Sequence, residues 1–244
     1  MSVNPMHQFE VYRIGPEIKF GQVDISFTNA SLFMSLSAIS ILIILFIGSK
    51  KRSLIPSKIQ LVTEMSYAFI AKMINDTAGS KAKPFFPFIF CLFMFVLFCN
   101  MIGMLPYSFT VTSHIIVTFV LAAIVFVGVT IIGFIQHGIG YLKLFVPSGV
   151  PIVLLPLIVI IEIISYLSRP VSLSVRLFAN MMAGHTMLKV FGGFVISLGL
   201  LGGWLPLSFS VALTGLEILV AFLQAYVFAI LTCIYLNDAL NLHH

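Results

Sequence analysis

Long apolar runs are the feature that most constrains the fold of this chain. The first, residues 30–48, carries no charged residue and has about the 20 residues that a helix needs to cross a bilayer. Two more uncharged runs follow at residues 84–105 and 113–136, and two longer apolar runs occupy residues 151–200 and 207–240. Only 9% of the residues are charged, whereas soluble domains carry about 25%. The sequence therefore predicts an all-α integral membrane protein with about five membrane helices.

Basic residues are concentrated in the polar connection that follows the first apolar run. They are Lys50, Lys51, Arg52, Lys58, Lys72, Lys81 and Lys83. Lys and Arg are enriched on the cytoplasmic side of membrane proteins, so this connection is predicted to lie on the cytoplasmic or matrix side. The N-terminal segment, residues 1–29, then lies on the outer side and the C-terminus on the inner side of one membrane domain, residues 1–244. The basic residues are too few and too local to indicate nucleic-acid binding.

Residues 56–77 have a different pattern from the apolar runs. Apolar or small side chains recur at spacings of three and four, while charged side chains occupy other faces. The recurring residues are Ile59, Val62, Ser66, Phe69 and Met73. This periodicity predicts an amphipathic helix on the inner membrane surface, opened by a proline in its first turn. A soluble connecting helix is the alternative that the same pattern leaves open.

The last two apolar runs are too long for ordinary spans. At 1.5 Å per residue, a continuous helix over residues 151–200 would measure about 75 Å, and one over residues 207–240 about 50 Å, against a hydrocarbon core of about 30 Å. The uncharged residues between them, 202–206, are expected to form an outer loop. Each long run is either split into two spans or steeply tilted, and periodicity does not choose between these alternatives.

No catalytic or cofactor-binding motif occurs in the sequence. It contains no Gly-rich phosphate loop and no G-x-S-x-G, H-E-x-x-H or C-x-x-C pattern. The three cysteines, Cys91, Cys99 and Cys233, lie inside apolar segments without zinc-like spacing. We therefore predict that the chain binds no metal or cofactor and is not catalytic by itself.

Arg176 lies in the middle of an apolar run, although guanidinium does not escape the membrane by losing its charge. Arginine at the centre of a membrane helix costs roughly 2.5–3.5 kcal/mol on insertion scales, so we expect the charge to have a use. Glu162 and Arg169 precede it at intervals of seven, which puts all three on one slowly drifting stripe of a regular helix. A buried ion pair of Arg176 with Glu162 or Glu217 is the structural alternative. Arg169 is expected simply to extend toward a membrane interface.

Four further polar residues stand out in the last two runs. They are Asn180, His185, Glu217 and Gln224. At 100° per residue, Asn180 shares the face of Arg176, whereas His185 points about half a turn away and lies about 13 Å along the axis. Because histidine titrates near neutrality, His185 together with an intramembrane Glu217 predicts a proton relay. For Asn180 and Gln224, interhelical hydrogen bonds remain as good an explanation as the lining of a channel.

Several stretches resemble one known family over nearly the whole chain. They are RPVSLSVRLFANMMAGH at residues 169–185, LTGLEILVAFLQAYVF at 213–228, LPYSFTVTSH at 105–114 and QFE at 8–10. They resemble subunit a of F-type ATP synthase, the stationary proton-channel subunit beside the rotating c-ring, in its alphaproteobacterial and mitochondrial type. In many other bacteria of this family, the position of His185 carries Glu and that of Glu217 carries His, so the pair is exchanged here.

The resemblance implies a fold and a set of roles. The fold is one surface helix, three ordinary spans and a long, tilted helical hairpin packed against the c-ring. Arg176 is expected to face the c-ring carboxylate. His185, Glu217, Asn180 and Gln224 are expected to line the outer proton inlet, and Glu162 to lie near the inner exit.

The resemblance also implies partners and a location. The expected partners are the c-ring, peripheral-stalk b-type subunits, membrane lipid and protons, and the expected location is a multi-pass position in an energy-transducing inner membrane, bacterial or mitochondrial. The alternative function, from another class, is an autonomous secondary transporter or channel that uses the intramembrane arginine to bind an anion. It predicts ion flux without a partner ring and a repeat architecture that the sequence does not display.

Overall fold

Six α-helices form almost all of the described structure. The computed structural model describes residues 9–17, 19–20, 23–24, 26–50, 56–105, 108–146 and 154–241. The helices are α1 (Asn29–Lys50), α2 (Lys58–Ala78), α3 (Phe86–Gly103), α4 (Ile115–His137), α5 (Leu155–Gly202) and α6 (Trp204–Leu240). Before α1, the short strands β1 (Lys19–Phe20) and β2 (Val23–Asp24) pair in antiparallel register. Short 3₁₀ helices at Ser80–Phe85, Val111–Ser113 and Gly138–Phe145 connect the longer elements.

Five of these helices, all except α2, are long and apolar enough to cross a membrane. This confirms the predicted all-α membrane fold with about five membrane helices. Helix α3 begins at Phe86 rather than at residue 84, because the preceding proline belongs to the 3₁₀ helix Ser80–Phe85. Helix α6 begins at Trp204 rather than at residue 207, and Pro206 falls in its first turn, where a proline is tolerated. Lys51, Arg52 and residues 106–107 and 151–153, which the sequence predictions include, lie outside the described residues.

The fourth apolar run, residues 151–200, forms one long helix rather than two spans. Helix α5 continues through Pro170 without a break and leaves helical geometry only at Gly199, where φ is 62° and ψ is −159°. Its part before Gly199, residues 155–198, corresponds to about 66 Å, more than twice a hydrocarbon core of about 30 Å. A helix of this length lies obliquely in a membrane if its apolar surface is to stay out of water.

Helices α5 and α6 form an antiparallel hairpin that turns at Gly203. Gly199 adopts a positive φ that favours glycine, and a Cβ on Gly203 would lie 2.7 Å from the carbonyl oxygen of Gly199. Both positions therefore require glycine for the close turn. We refer to the part of the hairpin near Gly203 as its turn end, and to the part near Leu155 and Leu240 as its open end.

The core lies where α6 packs against α3 and α4. Ala221, Ala225 and Ala229 form a row of small residues along α6 and are completely buried. Small side chains let neighbouring backbones approach closely, and Asn100 of α3 donates a hydrogen bond to the carbonyl oxygen of Ala221 at 3.2 Å. This packing fixes α6 in position, and α5 packs along it on the outside of the bundle.

The buried face of α2 differs from the predicted apolar stripe. Ile70, Met73 and Ile74 are buried against the core; of the predicted stripe, Met73 belongs to this buried face, whereas Ile59 and Val62 are exposed. The periodicity of α2 identified an amphipathic helix, but the side that meets protein is set by the helices beside it. The exposed apolar side chains at the start of α2 remain available to lipid.

Candidate functional site

Arg176 lies on the exposed surface of α5. Its side chain is exposed, as are Val175, Ala179 and Asn180 beside it. Among the described residues, no carboxylate pairs with the guanidinium, because the described ion pairs involve other groups. The structural alternative of a buried pair with Glu162 or Glu217 is therefore not the arrangement in this structure. Arg176 is a permanent charge for which the described part of the chain supplies no counter-charge.

The surface around Arg176 is apolar and grooved. Toward the turn end, α5 carries an apolar depression of about 620 Å³. It is lined by Phe178, Ala179, Met182, Ala183, Thr186, Met187, Val190, Phe191 and Phe194. Alanine at two successive turns allows close approach of another helix, as small residues do in membrane helix packing. The exposed side of α5 thus combines one charge with a surface suited to an apolar partner.

His185 lies on the opposite face of α5 from Arg176 and contacts Glu217 of α6. His185 is half-buried and faces α6, where its Nδ1 directly contacts Oε1 of the buried Glu217. The other ring nitrogen, Nε2, lies 2.9 Å from the carbonyl oxygen of Gly103. A carbonyl oxygen only accepts, so Nε2 carries a proton and donates it. Because imidazole and carboxyl groups each take up and release protons, the two residues form a protonatable pair.

A cavity of about 780 Å³ opens onto this pair. Lys189 and Thr214 contribute polar groups to its wall, and Tyr12 and Asn29 line it from the N-terminal segment and the start of α1. The Glu217 Oε2 atom is buried and has no hydrogen-bond partner among the described residues. Water is the usual partner of a buried carboxylate oxygen of this kind, and a cavity of this volume has room to admit it.

The N-terminal segment brings a carboxylate to the entrance of the cavity. Tyr12 donates a hydrogen bond of 2.6 Å to the Glu10 carboxylate. This hydrogen bond holds the pKa of the Tyr12 phenol above its ordinary value, because the neutral phenol is the form that donates. The cavity wall at Tyr12 is therefore polar, through a neutral phenol that is hydrogen-bonded to a carboxyl group.

Asn180 and Gln224 connect the Arg176 side of α5 with the interior of the hairpin. The Asn180 amide donates to the Gln224 Oε1 atom at 2.8 Å. Asn180 is exposed, as is Arg176 one turn earlier, whereas Gln224 is buried on the same side of α6 as Glu217. The Nε2 atom of Gln224 is buried without a described partner. The two amides thus lie between the exposed arginine and the buried protonatable pair.

Arg169 forms an ion pair that the sequence did not predict. Instead of simply extending toward an interface, its Nη1 atom lies 3.0 Å from Oδ2 of Asp238, near the open end of α6. Its guanidinium also lies over the rings of Tyr166 and Tyr235, at 5.4 and 5.0 Å from their centroids. Sequence reasoning missed Asp238 because the two residues are 69 positions apart. The available signal was an unexplained acid at the end of an apolar helix.

Glu162 lies apart from the other predicted site residues. It is half-buried on α5 near the open end, and it takes part in no ion pair within the described portion of the chain. The structure thus brings together His185 with Glu217 and Asn180 with Gln224, and it leaves Arg176 and Glu162 separate. No cluster of His, Cys, Asp or Glu suited to a metal ion occurs among the residues described.

Polar contacts between helices form a second group that sequence reasoning missed. The Thr118 and Ser174 hydroxyl groups are 3.2 Å apart between α4 and α5, and Thr130 is 2.6 Å from the hydroxyl of Tyr166. Asn100 belongs to the same group through its bond to α6. Each is a polar side chain within a long apolar run, and that is the signal by which it could have been found.

Comparison with known proteins gives a consistent result. The family described as ATP synthase A chain matches residues 31–237. A protein of Pelagibacter ubique named ATP synthase subunit a is 82% identical over the full length of both chains. Proteins of the same name from Chelativorans sp. and Rhizobium rhizogenes are 59% and 61% identical, over 100% and 99% of this chain and 100% and 98% of their own. The resemblance predicted from the motifs is thereby confirmed, and the chain belongs to the ATP synthase A chain family.

Proposed function

We propose that this chain is the stationary proton-translocating subunit of a rotary F-type ATP synthase. The observation that carries the proposal is the exposed Arg176 guanidinium, which pairs with no carboxylate of the described chain and lies on a largely apolar surface. A charge in that position requires a counter-charge from another subunit. In a rotary ATP synthase the carboxylates of the c-ring supply it, so the c-ring is the proposed partner of the exposed side of α5.

The chemistry of guanidinium explains why the residue is arginine. A ring carboxyl group that arrives from lipid is protonated, because an isolated charge there costs too much. Beside Arg176 the charged form is favoured, so the carboxyl group releases its proton. Arg176 itself neither accepts nor passes that proton. Protons therefore cross only when the ring rotates, and each charge that crosses gains about 2.3 kcal/mol per 100 mV of membrane potential.

The outer inlet is assigned to the cavity at the turn end. His185 and Glu217 form the protonatable pair at the bottom of this cavity, and the N-terminal segment forms its mouth. From this pair, Asn180 and Gln224 extend the polar path toward the exposed side of α5. This order supports a route in which a proton enters through the cavity, passes the pair and reaches the ring beyond the amides.

The inner exit is assigned to the open end, where Glu162 lies. Fourteen residues separate Glu162 from Arg176, or about 21 Å along α5. With the N-terminal segment on the outer side, as the basic residues after α1 predict, the turn end faces the inlet and the open end faces the inner side. The C-terminus then lies on the cytoplasmic or matrix side.

The chain is a multi-pass protein of an energy-transducing membrane and a membrane subunit of the synthase, whose catalytic sites lie in other subunits. Peripheral-stalk b-type subunits are proposed as a second partner. The alternative of an autonomous transporter that binds an anion at Arg176 is not supported, because relatives over the full length of the chain are synthase subunits.

The test is Arg176→Ala in assembled synthase complexes. We expect ATP-driven proton pumping into inverted vesicles to be lost, because a ring carboxylate would have no fixed charge against which to release its proton. Val175→Ala is the matched control, since it shortens an exposed neighbour without changing a charge. The content of the subunit in the membrane is measured in parallel. Normal pumping by an assembled Arg176→Ala complex would contradict the proposal.

A further inference from the structure

A second arginine occupies almost the same side of α5 as Arg176. Arg169 lies seven positions earlier, which is about 10 Å along the axis and only about 20° short of two full turns. An uncompensated guanidinium there would give a passing ring carboxylate a second permanent charge. The two arginines nevertheless have different surroundings, and this difference carries the inference.

Arg169 is held against α6 by a charge and two aromatic rings. Its Nη1 atom is 3.0 Å from Oδ2 of Asp238, and the side chains of the pair are 23% and 29% exposed. Its guanidinium lies over the rings of Tyr166 and Tyr235. Cations are attracted to aromatic faces, more strongly where water is excluded.

The ring of Tyr166 is itself fixed by hydrogen bonds. Its hydroxyl lies 2.6 Å from Oγ1 of Thr130 and 3.0 Å from the hydroxyl of Tyr141. The position of the Arg169 guanidinium is thus determined by a built arrangement from α4, α5, α6 and the 3₁₀ helix Gly138–Phe145.

We propose that Asp238 masks the charge of Arg169, so that Arg176 alone presents an uncompensated charge to the ring from the described part of this side of α5. The inference rests on the proposed function, because masking matters only if a mobile carboxylate passes this surface. Asp238 is a positioning residue in this account. It contacts Arg169, and it acts on the c-ring carboxylate only through that residue.

The masking has a chemical reason. Guanidinium stays charged at every physiological pH, so Arg169 requires a counter-charge if it is to be electrostatically silent. A carboxylate that loses its arginine partner accepts a proton or stays hydrated at its exposed edge. Removal of the acid therefore leaves a permanent charge, whereas removal of the arginine leaves a group that adapts.

This asymmetry distinguishes masking from a structural clamp. A clamp between α5 and α6 fails equally when either partner is lost, and it also fails when both are lost. A mask fails only when Asp238 is removed and Arg169 remains. Removal of Arg169 in addition abolishes the need for the mask, so the double variant recovers function.

The experiment compares Asp238→Asn, Arg169→Gln and the double variant in assembled complexes, with ATP-driven proton pumping as the readout. We expect Asp238→Asn to lower pumping on the order of tenfold. Two charges about 10 Å apart in a medium of intermediate dielectric constant have an interaction energy that corresponds to about that factor in rate. Arg169→Gln and the double variant should pump within about twofold of the unmodified complex.

The alternatives give different results. Low pumping or lost assembly in all three variants would show a structural clamp and overturn the proposal, and so would normal pumping by Asp238→Asn. If Asp238→Asn alone fails to assemble while the double variant assembles and pumps, the unmasked charge is the cause and the proposal stands. Arg176→Ala in the same membranes separates the two inferences. Normal pumping by Arg176→Ala contradicts the proposed function. Loss of pumping by Arg176→Ala, together with normal pumping by Asp238→Asn, contradicts only the masking by Asp238.

Discussion

Two ion pairs join α5 to α6, one toward each end of the hairpin, and they are built from different chemistry. At the open end, Arg169 meets Asp238 between two tyrosine rings. Toward the turn end, His185 meets Glu217 at the bottom of a cavity of about 780 Å³. The first pair contains a group that never loses its proton, whereas both members of the second can gain and lose one.

The difference shows how a helix hairpin separates a permanent charge from the groups that transfer protons. Only the pair at the turn end both consists of two groups that gain and lose protons and opens onto a cavity. Arg176 lies between the two pairs on the exposed surface of α5, about half a turn and about 13 Å from His185. If the proposed function is right, the pair at the open end fixes the position of a permanent charge and the pair at the turn end transfers protons. Arg176 lies between them and passes no proton.

Arg176→Lys is expected to have the largest effect on this division. Lysine retains a positive charge at first, but its ammonium loses a proton readily in an apolar site, so the barrier at this position becomes permeable to protons. We expect coupled pumping to fall on the order of a hundredfold and passive proton leak to rise in vesicles stripped of the catalytic sector. Fluorescence quenching in inverted vesicles measures both quantities. Pumping at the unmodified rate would mean that permanence of the charge at Arg176 is irrelevant.

Changes at His185 and Glu217 should have the next largest effect. Glu217→Gln removes the carboxylate that contacts His185, and His185→Ala removes its partner. Each is expected to slow proton entry by about tenfold or more, with assembly intact, because proton transfer by a positioned side chain is lost. Pumping as a function of outer pH provides the measurement.

The exchanged double variant, His185→Glu with Glu217→His, is the control for this pair. It places an acid and an imidazole at the same two positions in reverse order, so we expect it to pump better than either single exchange. His185→Glu alone sets two carboxyl groups against each other and should be slow. Loss of assembly in all of these variants would show that the pair serves structure and not proton transfer.

Local geometry on one helix could be predicted from the sequence, and geometry between helices could not. Because α5 runs without a break from Arg176 past His185, the 100° rotation per residue places Asn180 with the arginine and His185 on another face, as the structure has them. The pairing of Arg169 with Asp238 does not follow from the rotation per residue along a helix. The two residues lie on different helices, and their relative position depends on how the hairpin closes at Gly203.

Helix α2 and the cavity show the same limit to prediction from the sequence. The spacing of apolar residues in α2 predicted an amphipathic helix, yet Ile70 and Ile74 are buried while Ile59 is exposed, because neighbouring helices decide which side is covered. The cavity is assembled from the N-terminal segment, α1, α5 and α6 together with the loop after α3. No single stretch of sequence encodes it, although the motifs that resemble the family did identify the residues at its base.

Gly184→Ala should have the smallest effect and is the most local test of the turn-end pair. A Cβ at this position would lie 2.8 Å from Glu217 Oε1 and 3.1 Å from its Cδ, so the carboxylate must shift away from His185. We expect ATP-driven pumping to slow by about threefold, since the acid and base remain but are no longer in register. Gly128→Ala on α4 is the matched control, because nothing lies within 4 Å of its added Cβ and alanine favours the helix. If both variants pump at the unmodified rate, direct contact between Glu217 and His185 does not limit proton entry, and the contrast between the two ends of the hairpin rests on the cavity alone.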